Sequence, residues 1–157
     1  MNAHLIAVGK FGKVKGKPSP EQLLFDQYAA RPGFPLSLKE VEEKRPIEGP
    51  ERQRREASLL LGAVPAGAYL VALDEAGKTF TSPAFATWLG QRRDDGVRDV
   101  AFVIGGADGL DPGVREKAGL VLSLGAMTWP HLLVRGLLAE QLYRAHAILT
   151  GHPYHRG

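Results

Sequence analysis

A chain of 157 residues without a single cysteine excludes disulfides, thiolate nucleophiles and thiolate metal sites, and its length suits one domain, residues 1–157, with a core that needs no covalent staple. The net charge is only +3, the first ten residues lack the charged start and long apolar run of a signal peptide, and no apolar run reaches the length of a membrane span. The expectation is a soluble, cytoplasmic protein with no membrane partner.

Taken in chain order, strands and helices alternate. Residues 4–8 form a short apolar strand, and Ser19-Pro20 supply an N-cap and a first-turn proline for a helix to about residue 30. Residues 35–41 read as a second strand and 50–61 as a charged helix ending at Gly62. Residues 69–73 and 100–104 are apolar enough to be buried strands. Between them a helix starts at Ser82-Pro83 and runs to about residue 93; another starts at Asp111-Pro112. A last strand over 120–124 precedes a long apolar helix over 130–150. Strands separated by helices, with apolar runs rather than alternation, predict an α/β fold: a parallel sheet covered by helices on both faces.

Charge is unevenly placed. Lys10, Lys13, Lys15 and Lys17 all precede the first acidic residue, Glu21, on a glycine-containing segment read as a flexible basic loop, fit either for solubility or for contact with a polyanion. Residues 39–56 hold six basic and six acidic side chains, the pattern of a solvated helical face.

In a parallel sheet ligands sit beyond the carboxyl ends of the strands. Three segments follow such ends: 74–78, 105–109 and 125–130. The middle one has the spacing GG-x-x-G, which is not the dinucleotide pattern G-x-G-x-x-G. The third sets Gly125 and Ala126 beside Met127 and Trp129, suited either to an adenine slot or to the core. Four of the five histidines (His131, His146, His152, His155) fall in the C-terminal segment, which closes on His152-Pro153-Tyr154-His155-Arg156-Gly157. Without a cysteine or a third ligand beside His152 and His155, no metal site is expected there.

Five motifs occur in one order: Leu73-Asp74-x-x-Gly77-Lys78, Ile104-Gly105-Gly106-x-x-Gly109-Leu110, Met127-Thr128-x-Pro130-His131, Glu140-Gln141-Leu142-Tyr143-Arg144-Ala145 and His152-Pro153-Tyr154-His155-Arg156. Together they make the chain resemble, over its full length, the ribosomal large subunit methyltransferase H family of the SPOUT class. The resemblance implies a SPOUT-type fold with a C-terminal trefoil knot and a homodimer. It also implies transfer of a methyl group from S-adenosylmethionine to nitrogen-3 of a pseudouridine in 23S rRNA on the assembled ribosome. The family's cofactor site maps onto Leu73, Gly105, Gly106, Leu124, Gly125, Ala126, Met127, Thr128 and Trp129.

Methylation at nitrogen-3 requires loss of an imide proton. A cation favours the resulting anion, and a neutral imidazole can accept the proton. His155 and Arg156 are therefore the candidates for orienting or ionising the base, with Tyr154 to stack or hydrogen-bond and His131 and Arg135, one helical turn apart, in support. A docked C-terminus held by Tyr154 is the competing reading, as is a simple i,i+4 pair for Glu140 and Arg144. The four lysines are the RNA-binding candidates. The long helix is apolar on more than one face, which a second subunit or another helix of the same chain would cover. Two other classes remain in view: a non-catalytic ribosome-binding or assembly factor, and an enzyme using a nucleotide on a Rossmann-like sheet.

Overall fold

The apolar runs align into one sheet. In the computed structural model, which describes residues 1–157, the elements in order are β1 (Asn2–Val8), β2 (Lys13–Val14), β3 (Lys17–Pro18), α1 (Pro20–Ala29), β4 (Leu36–Val41), α2 (Gly49–Ala63), β5 (Tyr69–Lys78), α3 (Ser82–Asp94), β6 (Asp99–Ile104), α4 (Pro112–Lys117), β7 (Leu120–Leu122) and α5 (His131–Thr150). Five strands pair in the order β4-β1-β6-β5-β7, every pair parallel.

Continuous apolar strands are needed because both faces are covered. Along β1, Leu5 and Ala7 enter one core with Phe25 of α1, Phe85 of α3 and Leu138 of α5, while Ile6 and Val8 enter a second with Leu60 of α2 and Val114 of α4. The period of two divides neighbouring residues between the cores. A leucine as fully buried as Leu138 contributes about 1.5–3 kcal/mol.

Helix starts follow their caps. Ser19 Oγ accepts from the Gln22 amide at 3.3 Å, and Asp111 Oδ2 accepts from the Gly113 amide at 2.9 Å. The third cap is Thr81, one residue before the expected Ser82; its Oγ1 accepts from the Ala84 amide at 3.2 Å. Each cap is worth about 1 kcal/mol. Gly151, at φ 72°, closes α5 in the left-handed conformation.

Three expectations change in detail. The lysine segment is a tight hairpin and not a flexible loop: β2 pairs with β3 across Lys15 (φ 51°) and Gly16 (φ 76°), both in the left-handed region that two-residue hairpins require. Helix α2 runs through Gly62 and stops at Val64, whose successor is Pro65. Strand β5 continues to Lys78, and Leu122 of β7 pairs with both Leu73 and Lys78, so residues 74–77 bulge from the sheet. Helices α1 and α3 of the same chain cover much of α5, so its apolar character has an explanation within one subunit.

Candidate active site

Strand order reverses around β5: the chain passes from β6 over β5 to reach β7. A cleft of about 630 Å³ opens there, at the carboxyl ends of β5 and β6, walled by the three segments 74–76, 104–110 and 124–131. Leu73, Gly105, Gly106, Leu124, Gly125, Met127, Thr128 and Trp129 all line it. Ala126 does not, although it is exposed. Gly125 lines the cleft at φ 119°, in the left-handed region that favours glycine, and its amide and carbonyl are both held by Ser123 Oγ, at 3.1 and 3.0 Å. Met127 is 74% and Trp129 41% exposed: two large apolar side chains lie open in a cleft, where a flat apolar ligand would cover them.

The cleft is acidic although the chain is basic. Asp74, Glu75 and Asp108 line it against one guanidinium, Arg115, which pairs with Asp74 Oδ2 at 2.9 Å. Thr128 Oγ1 donates to Glu75 Oε2 at 3.2 Å and ties two of the walls together. Such a lining fits a ligand carrying positive charge. His131 joins it from the first turn of α5; burial first, and the Arg135 charge second, hold its pKa below the ordinary value, so its imidazole is neutral at pH 7. Sequence reasoning assigns no role in the site to Asp74, Glu75, Asp108 or Arg115, although the bounds of segments 74–78 and 105–109 contain the three carboxylates.

The C-terminal residues occupy another place. Tyr154 lines a second cavity, of about 570 Å³, with Leu24 and Tyr28 of α1, residues 79–82, and Glu140, Gln141 and Arg144 of α5. Tyr154 Oη donates to Glu140 Oε1 at 2.9 Å, and Arg144 pairs with the same carboxylate while its Nη1 lies 3.1 Å from His155 Nδ1. Burial, with Tyr28 and Glu140 alongside, pushes the Tyr154 pKa up to about 12, so the phenol stays a donor. Arg31 sits over Tyr28, Tyr143 and Tyr154 at 4.7, 4.9 and 5.5 Å from their ring centres. Arg156 is exposed. The two cavities share Leu124, Gly125 and Trp129 as a common wall.

Over residues 1–155 the sequence matches the family described as "Predicted SPOUT methyltransferase". The chain belongs to the SPOUT methyltransferase family. Among similar proteins, the Ribosomal RNA large subunit methyltransferase H of Paramagnetospirillum magneticum (strain ATCC 700264 / AMB-1) is 59% identical over 156 residues, 99% of each chain. The protein of the same name from Rhodospirillum centenum (strain ATCC 51521 / SW) is 56% identical with the same coverage. A crystal structure of the SpoU methyltransferase AviRb from Streptomyces viridochromogenes, in complex with AdoMet, is 14% identical over 90% of this chain and 56% of that one, with a TM-score of 0.44, too slight a likeness to bear on the site.

Two residues of this SPOUT chain stand differently from expectation. Arg135 is fully buried and lines neither cavity. It pairs with Glu40 Oε2 at 2.6 Å, donates to the Val8 and Gly9 carbonyls at 3.1 and 2.9 Å, and lies 4.5 Å from the Phe11 ring centre. Its spacing from His131 is helical, but a rotation of about 100° per residue leaves i and i+4 offset by some 40°, enough here to turn one toward the cleft and the other into the core. Gly106 lines the cleft, yet a Cβ there would meet Val8 Cγ1 at 3.0 Å and Glu56 Oε2 at 3.2 Å. The need for glycine comes from beneath the loop.

Proposed function

We propose that this protein transfers the methyl group of S-adenosylmethionine to nitrogen-3 of a pseudouridine in 23S rRNA of the assembled ribosome, acting in the cytoplasm as a homodimer. One observation carries the reading: the cleft at the carboxyl ends of β5 and β6 combines exposed apolar side chains, glycines that leave room at its walls and an excess of carboxylates, the lining a flat adenosine with a cationic sulfonium calls for. Near-complete coverage of relatives named for large-subunit ribosomal RNA supports the substrate class.

When bound, the cofactor supplies a methyl already activated by its sulfonium, so the protein need provide no metal and no covalent nucleophile. Leu73, Leu124, Met127 and Trp129 hold the adenosine, with Gly105, Gly106 and Gly125 giving backbone access. Glu75 and Asp108 accept hydrogen bonds at the rim and exert the negative field. Positioning is the chain's main contribution to the rate, since in-line attack demands near-contact placement.

The target base is held by the C-terminal residues. Arg156, exposed and cationic, favours the imide anion; His155, whose Nδ1 accepts from Arg144 and whose Nε2 therefore carries the ring proton, orients the base as a donor; Tyr154, its hydroxyl given to Glu140, holds the segment in place. His131, neutral in the cleft, is the group that can accept the imide proton. Because Tyr154 and Arg144 line a cavity that shares a wall with the cofactor cleft, a second subunit seated on Leu24, Phe80 and Leu137 brings its own C-terminal residues toward the methyl. The C-terminal elements form the trefoil knot of the class. Lys10, Lys13, Lys15 and Lys17 meet rRNA phosphates.

The test is mass spectrometry of 23S rRNA nucleosides from cells with and without the gene. N3-methylpseudouridine should vanish with the gene and return with a plasmid copy; its persistence would overturn the reaction assigned.

A further inference from the structure

We infer that Glu56 is a specificity-determining residue of the cleft: a buried carboxylate under the turn at 105–109 that favours a cationic sulfonium ligand over its neutral thioether product. The inference rests on the S-adenosylmethionine reading above.

Glu56 lies on α2, outside the cleft lining, with its side chain 6% exposed. Its Oε1 has no hydrogen-bond partner, and Oε2 meets only the Arg52 guanidinium, at a loose 3.5 Å. A Cβ on Gly106 would stand 3.2 and 3.5 Å from the two carboxylate oxygens, so the peptide of Gly106 rests on the charge. Gly106 itself faces the cleft. One peptide's thickness therefore separates Glu56 from the cleft. Gln53, one turn earlier on α2, donates to the Asp108 carbonyl and fixes the same turn to the helix.

A buried carboxylate with an unpaired oxygen is costly, and a neutral side chain of equal size would fill the space without that cost. Its pKa is accordingly raised by burial, and further by Asp108 and Glu43, with Arg52 opposing. What the charge provides is a field in a poorly solvated wall, where Coulomb interactions exceed those in water. S-adenosylmethionine carries one positive charge more than S-adenosylhomocysteine. Loss of the methyl removes the sulfonium charge, so the field that retains the cofactor does not retain the product, and exchange after turnover is favoured.

The experiment is calorimetry of S-adenosylmethionine and S-adenosylhomocysteine, each alone, with the native full-length protein and with Glu56→Gln and Glu56→Leu at mildly alkaline pH. Both variants should bind S-adenosylmethionine about three- to ten-fold more weakly and S-adenosylhomocysteine with little change, while their Tm equals or exceeds the native value. Agreement between a polar and an apolar replacement separates charge from shape. Equal weakening of both ligands, or an unmoved ratio, overturns the inference alone. A native protein that binds neither compound overturns the cofactor reading and the inference with it.

Discussion

Tyr154 and Glu140, fourteen residues apart, are joined by a 2.9 Å hydrogen bond from the phenol to Oε1, which moors the C-terminal segment along α5. Arg144 grips the same carboxylate, and the Tyr143 and Tyr154 rings meet edge-on at 4.7 Å. The segment is thus ordered before any substrate arrives, and a pre-ordered group has less entropy to lose when it engages one.

Removal of residues 152–157 should leave the sheet and the cofactor cleft intact, because none of those residues lines the cleft, yet abolish methyl transfer. Arg156→Ala should lower kcat more than cofactor affinity, the pattern of an interaction made in the transition state. Tyr154→Phe should cost about 1 kcal/mol in stability and loosen the segment to carboxypeptidase. Methylation of intact ribosomes at saturating cofactor, beside calorimetry on the same preparations, is the check; near-normal turnover by the truncated protein would reduce the segment to a docked end.

Arg135 should behave as a structural residue. Its replacement by alanine takes the guanidinium from the Val8 and Gly9 carbonyls, while Glu40, 28% exposed, keeps the Phe11 amide at 2.8 Å, so the cost should fall below the about 3–5 kcal/mol of a fully buried pair. Urea unfolding measures it. Arg135→Lys should recover little, since one ammonium cannot reproduce the planar fork that reaches Glu40, Val8 and Gly9 together.

The four lysines sit on or beside a hairpin whose side chains are exposed; Lys10 alone approaches a carboxylate, Glu42, at a loose 3.9 Å. Changing Lys10, Lys13, Lys15 and Lys17 to glutamine should weaken ribosome association and reduce the magnitude of its log-log salt slope by about 0.7–0.9 for each phosphate no longer neutralised. Cofactor affinity should hold. An unchanged slope would leave these lysines with solubility as their role.

Acidification should destabilise the fold through His131. Its native pKa lies below the ordinary value of 6.5, so the unfolded state binds this proton more tightly, and stability falls as pH drops from the unfolded value toward the native one. Denaturant midpoints across that window should show a step that His131→Gln flattens. A step of equal size in both proteins would remove His131 as its source.

The sequence by itself determined the parallel sheet, the helix starts and the three segments that wall the cleft, because these follow from local pattern. Apolar runs such as 100–104 mean burial on both faces, and Ser19-Pro20 and Asp111-Pro112 carry their own caps. Ordered motifs placed the chain beside its family. Tertiary structure alone decided which side chains share a space. Arg135 and His131 both reach Gly9, yet only His131 lines the cleft, since Glu40 and the Val8 and Gly9 carbonyls, all distant in sequence, claim Arg135 for the core. Gly106 looks in sequence like a ligand-facing glycine, and only the packing of α2 reveals Glu56 beneath it. Tyr154 and its neighbours lie in a different cavity from the cleft beyond β5 and β6, joined to it through Leu124, Gly125 and Trp129. Spacing along a chain fixes direction within one element; distance between elements is set by packing, which no local pattern encodes.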